Sequence, residues 1–398
     1  MSHDHDDVFR VLLPRDTARR LSRRGFLGTL GAGALLAACG TRDDAAPGGA
    51  STGAAAPGTA SAAAPSARLE ESLNVYTWAE YQDPANEKAF TQQRGPAVKV
   101  DVFESNEAML AKLQLAGATA GYDVVVPSGP YIPQMISRGL LMELDRSKLP
   151  NLAHLDPAYV DQPWDRGNRY SVAKNWGATG YVYDRRVIRE APRGWAAFLK
   201  TAAMPGVSGK VSVTAIPEDL TGIVFWRDGI DWRTTNPEHL DHAERVLLTE
   251  LAPHVKAFDS YPGPGMLEGS YVLSQAFNGD ARGVVSEDPD RYGWMLGSPK
   301  TELWVDNWVI LKTARSPDAA HAWINFMLDP AAAARETAFH GYATAVQGTR
   351  ELLPASVTLP EMIYLTGDQR GRLVPGEVNA AHDRIVAIYN KVKARAGA

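Results

Sequence analysis

One short run constrains the fold more than any other: residues 122–126, YDVVV, closed at once by Pro127 and Ser128. A brief, unalternating apolar run between turn residues reads as a strand buried on both faces of a parallel sheet. Such a sheet needs helices over its faces, and the neighbouring sequence supplies them. LNVYTW (73–78) and AVKVDVF (97–103) read as strands, with a helix predicted over residues 84–94 between them. Ser105 is placed to cap the helix NEAMLAKLQLA, whose apolar stripe is Met109, Leu110 and Leu113. Residues 131–138 read as helical, with Gly139 as the terminator. Further on, 179–184, 210–215, 254–258, 282–287 and 292–297 read as strands, and LWVDNWVIL (303–311) is the longest strand candidate. Helices are predicted from Asn236-Pro237 to about residue 250, over 266–277, from Ser316-Pro317 with Trp323, Ile324, Met327 and Leu328 as its stripe, after Asp329-Pro330, and from about 378 onward. Strands alternating with helices predict an α/β fold. Residues 69–398 are enough for two lobes of about 100–200 residues each.

The first 68 residues read differently. Arg23 and Arg24 precede 14 uncharged residues, 25–38, rich in Gly and Ala. That run is too short to cross a bilayer core as a helix, which takes about 20 residues. A basic segment, a short apolar segment and small residues before a cut site form an export signal. The Arg-Arg-Gly-Phe-Leu stretch resembles a twin-arginine signal. Leu36-Ala37-Ala38-Cys39 resembles a bacterial lipobox, which implies that the Cys39 thiol is lipidated, begins the mature chain and anchors it to the membrane. Residues 1–38 are thus expected to be removed, together with the His3/His5 and Asp cluster they carry. Residues 39–68 are almost all Ala, Gly, Pro, Ser and Thr. Without large apolar side chains nothing offsets the entropy of ordering them, so they read as a disordered tether.

Composition narrows the function classes. Cys39 is the only cysteine in 398 residues, so no internal disulfide can support the fold, even in an oxidising compartment. Residues 1–38 hold six Arg and four Asp, so their removal takes the formal charge from −5 to −7. A mildly acidic surface argues against nucleic acid and suits a cationic ligand. No later stretch has 18 uncharged apolar residues, and there is no internal repeat. H-E-x-x-H and G-x-x-x-x-G-K-[ST] motifs are absent from the sequence, G-x-S-x-G is absent from residues 69–398, and the one cysteine is committed to lipid. An exported enzyme is therefore the weaker reading, and no catalytic residue, cofactor or metal site is expected. His239 and His242 have H-x-x-H spacing, but on a charged helical stretch that reads as a solvated face.

Five stretches carry a resemblance: YTWAEY (76–81), ESNEAMLAKL (104–113), YDVVVPS (122–128), SVAKNWGATGYVYD (171–184) and LWVDNWVIL (303–311). In order and spacing they resemble the bacterial polyamine-binding proteins, the spermidine and putrescine receptors of ABC importers. The resemblance runs from about Leu73 to the C-terminus and includes polar and aromatic residues that packing alone does not require. It implies a type II two-lobe periplasmic-binding-protein fold, with a ligand cleft between lobes joined by crossing strands. Lobe 1 would hold 69–178 and 305–350, and lobe 2 would hold 179–304 and 351–398. It further implies a monomeric, extracytoplasmic receptor that hands a polyamine to an ABC permease and its ATPase subunits.

A polyamine is a flexible methylene chain bearing spaced ammonium groups. It needs carboxylates at matching intervals and flat apolar walls, and aromatic faces add about 0.5–2 kcal/mol of cation attraction each. Trp78, Glu80 and Tyr81 follow the first strand, where ligand sites of α/β sheets lie. For Trp78 a core role, and for Glu80 a solvated loop, is the competing reading. Ser128 matches a serine that contacts an amine, although Ser also favours turns. Asp306 lies inside an apolar strand, where a carboxylate is costly unless a cation or several donors meet it; the resemblance implies that Asp306 holds an amine and Trp304 lines the cleft, a structural salt bridge being the competing reading for Asp306. Phe277, Asp280 and Tyr342 match further cleft positions, Asp280 being an acid of putrescine-type members.

The chain also departs from the family. Ile216 stands where spermidine-type members carry an acid, leaving Asp219 as the acid of that region. Pro130 replaces an aromatic, and Glu377 is only a loose candidate for the amide near the C-terminus. A short diamine, a longer polyamine or another cationic metabolite all stay open. A two-lobe receptor for an amino acid is the alternative, but amino-acid sites need an Arg for the carboxylate, and the candidates here are acids and aromatics.

Overall fold

The computed structural model describes residues 69–397. The export segment, Cys39 and the 39–68 tether lie outside the described residues. In chain order the main elements are β1 (Ser72–Trp78), α1 (Pro84–Arg94), β2 (Ala97–Phe103), α2 (Asn106–Ala116), β3 (Val124–Val125), α3 (Ile132–Ser137), β4 (Ser171–Asp184), α4 (Trp195–Ala202), β5 (Val211–Val213) and α5 (Pro217–Asp228). Then come α6 (Pro237–Val246), β6 (Val255–Phe258), α7 (Gly263–Glu268), β7 (Leu273–Phe277), α8 (Asn278–Glu287), β8 (Tyr292–Leu296) and β9 (Thr301–Ile310). The chain closes with α9 (Pro317–Met327), α10 (Pro330–His340), β10 (Ala343–Thr344), α11 (Pro360–Ile363), α12 (Gly367–Arg370), β11 (Leu373–Pro375) and α13 (His382–Ala396).

The strands form a mixed sheet in the order β2-β1-β3-β9-β4-β7-β5-β6. β1 pairs in parallel with β2 and β3, and β5 pairs in parallel with β6 and β7. The antiparallel pair β4–β9 lies between these two parallel sets. One core gathers residues of β1, β3 and α2, the first half of β4, the second half of β9, and α9 with α10. The other gathers Tyr181 and Tyr183 from the far half of β4 with α4, α5, α6 and α13. A smaller cluster of Val182, Ala276, Val284, Val285 and Tyr292 seals the opposite face of the second lobe. β4 is buried along its whole length because it changes lobe midway and is covered throughout. Leu353, Val357, Ile363 and Leu365 still pack on the first core, and the chain rejoins the second core at Val374.

Local signals explain most boundaries. The Ser105 hydroxyl accepts from Ala108 N at 3.1 Å, and Asn236 and Asp329 cap α6 and α10 in the same way, each followed by Pro. Two expectations are corrected. Residues 266–277 are not one helix, and 282–287 are not a strand: α7 ends at Gly269, at φ +81, β7 follows, and α8 covers 278–287. Gly269 supplies the left-handed stop, and Val272 N then bonds Lys210 O at 2.9 Å, drawing the next residues into the sheet beside β5. Val284 and Val285 look strand-like but lie buried on the inner face of α8, where packing outweighs their modest β preference.

A buried ion pair ties the first lobe to the crossing strand. Lys174 of β4 donates to Glu336 Oε1 at 3.0 Å and to Tyr81 O at 2.9 Å. The other Glu336 oxygen accepts from Gln82 Nε2, Asp83 N and Asn86 Nδ2 at 3.2, 3.2 and 2.9 Å. With both charges sealed off, each depends on the other. Glu336→Ala leaves Lys174 uncompensated and is expected to lower the unfolding free energy by about 3–5 kcal/mol, measured by urea unfolding.

Candidate functional site

β9 organises the site. Alternate residues of a strand share a face, so Glu302, Trp304 and Asp306 point the same way. Asp306 pairs with Asn175 and Trp304 with Gly177 across the β4–β9 ladder. A Cβ at Gly177 would fall 2.1 Å from the Trp304 ring, so the ring lies flat over the crossing strand where only glycine fits.

Asp306 is 6 % exposed. Ser128 Oγ donates to Asp306 Oδ1 at 2.7 Å. Ser128 is in turn fixed by Asn106, which donates to its hydroxyl and accepts from its amide, both at 3.1 Å. The Tyr81 hydroxyl is buried close to Asp306 and Asn175 and makes no hydrogen bond of ordinary geometry among the described residues. Burial holds the Asp306 carboxyl up at about 6, although Ser128, Tyr81 and Lys174 all pull it down. Burial first, and then Asp306, raises the Tyr81 phenol.

Aromatic rings line the space beside it. Trp304 meets Tyr342 edge-on at 4.9 Å and Phe277 at 6.0 Å, and Tyr342 lies 6.1 Å from Tyr81. The Trp304 indole N–H is buried with no acceptor among the described residues. Tyr342 donates to Asp280 Oδ2 at 2.5 Å. Asp280 is in the first turn of α8, and burial holds it at about 6, with Glu80 and Asp259 adding like-charge repulsion. Glu80 occupies the left-handed region at φ +53, unusual for a branched-free acid with no glycine freedom, and turns the chain between Trp78 and Tyr81. Trp78 itself is used by the fold: its indole donates to Val126 O at 3.1 Å, and its ring packs on Phe103 at 4.5 Å.

Asp219 lies on the second lobe, in the first turn of α5, and is 1 % exposed. Ile216 caps that helix and brings no acid. The Asp219 carboxyl meets Glu302, so burial and then Glu302 raise Asp219 well above its ordinary value. Pro130 stands opposite Gly376, next to the Trp232 ring. Glu377 is exposed and lies beside Arg233.

The predicted acids and rings therefore converge on β9, with Asp280, Tyr342, Phe277, Trp304, Asp306, Ser128 and Tyr81 in one group and Asp219 further along. Among the described residues none of Asp219, Asp280, Glu302 or Asp306 ion-pairs with a Lys, Arg or His; Lys174 is spent on Glu336 and His382 on Glu218. His239 bonds Thr234 and His242 meets Asp228, so these two histidines serve different neighbours. Such a group of carboxyls can hold a cation and repel an anion.

Residues 87–361 match the model of the bacterial extracellular solute-binding protein family. This chain belongs to that family. It is 33% identical over 304 residues to spermidine/putrescine-binding periplasmic protein 1 of Haemophilus influenzae, covering 76% of this chain and 83% of that protein. It is 31% identical over 325 residues to the spermidine/putrescine-binding periplasmic protein of Escherichia coli, covering 81% and 91%. The structure is similar to that of the TpPotD lipoprotein of Treponema pallidum, with a TM-score of 0.73, 26% identity, and coverage of 80% and 98%. The solute-binding protein has the two-lobe periplasmic-binding-protein fold, with β4 and β9 crossing between the lobes.

Sequence reasoning missed three residues of the site. Glu302 has the strand's period-two spacing from Asp306 and was open to detection. Asn106 reads simply as the first residue of a helix. Tyr261 comes from a loop with no periodicity and stays 45 % exposed; its phenol is raised by partial burial and then by the negative charge of Asp280 and Asp306.

The raised acids have a stability cost. Between about pH 4 and 6 the folded protein holds a proton on Asp306 that the unfolded chain has released, so this group's contribution falls as pH rises through that window. Asp306→Asn is expected to match wild type at pH 4 and, without ligand, to exceed it by up to about 3 kcal/mol at pH 7, as checked by urea unfolding at the two pH values.

Proposed function

We propose that this chain is an extracytoplasmic receptor that captures a polyamine of the putrescine and spermidine kind and delivers it to an ABC importer. The observation that carries the reading is Asp306, a buried carboxyl with the Ser128 hydroxyl as donor but no ion-pairing cation among the described residues, next to the Trp304–Tyr342–Phe277 walls. An ammonium placed there supplies the missing charge in a low-dielectric site, where the pair is worth far more than in water. Asp280 takes the second ammonium of a diamine. Tyr81, Tyr261, Tyr342 and Trp304 cover the methylenes, and Ser128 aims Asp306. Trp78 supports the wall from behind, and Glu80 adds negative potential at the Asp280 end.

The names of the Haemophilus and Escherichia relatives support the ligand class. Closing two lobes on the guest presents a shaped surface to the membrane subunits, a hinge mechanism that needs no catalysis. The lobes divide as 69–178 with 305–350 and 179–304 with 351–398, except that residues 353–365 serve both, with Leu353, Val357, Ile363 and Leu365 on the first core and Met362 on the smaller cluster of the second lobe. The receptor acts as a monomer, tethered by 39–68 to a lipid on Cys39 after export of the folded chain.

Isothermal titration of the mature domain tests the ligand. Wild type is expected to bind putrescine or spermidine with measurable heat and a rise in melting temperature. Asp306→Asn is expected to weaken binding by about 2–5 kcal/mol; no heat and no thermal shift with either amine would overturn the reading. The anchor is tested separately: the full chain expressed in bacteria incorporates labelled fatty acid and sediments with membranes, and Cys39→Ala abolishes both.

A further inference from the structure

The crossing strand carries a lysine from which a cation site has to be protected. The β4–β9 register skips Lys174: Ala173 pairs with Asn307, and Asn175 pairs with Asp306. A bulge of this kind re-aims a side chain. Here it brings the buried Lys174 ammonium to the Asn175 amide, and the Lys174 charge reaches the Asp306 carboxyl. The other ionisable groups coupled to Asp306 are Tyr81, Tyr261 and Glu302, none of them a cation. A Lys174 turned to Asp306 would therefore take the place of a guest ammonium.

An ammonium has three hydrogens to place. Glu336 Oε1 takes one at 3.0 Å and Tyr81 O another at 2.9 Å. Asn175 Oδ1 takes the third at 3.3 Å when the amide is turned with its oxygen that way. His340, the last residue of α10, settles that orientation. Gly341 follows in the left-handed region at φ +79 and turns the chain back, so that Tyr342 N donates to His340 Nδ1 at 3.0 Å. Nδ1 is then bare, and the one ring hydrogen of a neutral imidazole sits on Nε2. Burial, and then the Lys174 charge, hold the ring well below its ordinary value and so neutral. Stacking on Tyr81 at 5.2 Å fixes its plane. Nε2 lies 2.5 Å from the Asn175 amide and needs an acceptor there. With Oδ1 facing it, Asn175 Nδ2 also donates to Lys174 O at 2.9 Å. The reverse orientation sets N–H against N–H at both His340 and Lys174.

We propose that His340 is a positioning residue of the amine site: by fixing the Asn175 amide it gives Lys174 its third acceptor and keeps that lysine from neutralising Asp306. The carboxyl is thereby left for a cation from outside. His340 acts through Asn175 and touches no guest in this role. The purpose of the lock rests on the polyamine reading, whereas its geometry is open to test without a ligand.

The test follows the Asp306 carboxyl carbon by NMR in the ligand-free mature domain, its signal assigned by its loss in Asp306→Asn. Wild type is expected to titrate at about 6. His340→Leu and Asn175→Ala each free Lys174, so each is expected to lower that midpoint by about one unit or more, a tenfold fall in proton affinity. The two act in series, so the double variant goes no lower than either alone. His340→Gln keeps an N–H for Asn175 and is expected to stay near wild type. A Lys174→Met/Glu336→Gln background removes both charges of the buried pair together, and there His340→Leu is expected to leave the midpoint unmoved. At about pH 8, where Asp306 is ionised in every variant, His340→Leu and Asn175→Ala are expected to bind putrescine roughly tenfold more weakly than wild type. Midpoints unchanged in both single variants overturn the lock. So does a fall that persists in the pair-free background, because it comes from water reaching Asp306 and not from Lys174. Wild type binding neither putrescine nor spermidine overturns the polyamine reading, and the midpoints still decide the lock.

Discussion

Removing a carboxylate from water without giving it a cation is among the most expensive things a fold can do. This chain does so at Asp306, and the surrounding structure is arranged to make it tolerable. Ser128 supplies one donor and is itself fixed by Asn106 at the start of α2. The cation that could have neutralised it, Lys174, lies one strand away and is committed to Glu336. What remains is a carboxyl partly relieved by hydroxyls and by a raised proton affinity. A state of that kind is stabilised by whatever positive group arrives, by mass action, because the guest binds the folded protein alone.

The contrast between the two buried acids shows how the fold divides labour. Glu336 has a cation and three further donors, so both oxygens are satisfied and the Tyr81 segment is pinned to β4. Asp306 has fewer partners on a strand that runs between the lobes. Fixed pairing holds the scaffold in register, and incomplete pairing leaves affinity for a guest. Gly177 belongs to the same logic: its missing side chain lets Trp304 lie against the crossing strand, so the aromatic wall and the lobe connection are one piece.

Much of this was legible from residues. Caps at Ser105, Asn236 and Asp329 mark helix starts because their side chains satisfy amides locally, and local chemistry is written locally. Asp306 stood out because a charge in LWVDNWVIL contradicts its neighbours. The exchange of helix and strand over 266–287 was not legible, because Leu273 becomes a strand residue only when β5 and β4 are beside it. The Ser128–Asp306 bond joins residues 178 apart, and Tyr261 reaches the acids from a loop; neither leaves a periodic trace. The lobe interleaving came from resemblance rather than pattern, since nothing local says that β9 returns to the first core.

Charge sign also bears on the amino-acid alternative. An amino acid brings a carboxylate as well as an ammonium, and in a closed site that carboxylate needs a fixed cation or a cluster of donors. Around β9 the opposite holds. Asp280 is pushed up by Glu80 and Asp259, and Glu302 by Asp306 and Glu218, after burial in each case. These are acids already repelling one another. A guest carboxylate would add to that repulsion, whereas every ammonium relieves it. Discrimination against zwitterions thus needs no dedicated device; it follows from gathering like charges, Glu302 and Asp306 on β9 with Asp280 at the start of α8, where a chain of separated ammonium groups neutralises the acids one by one.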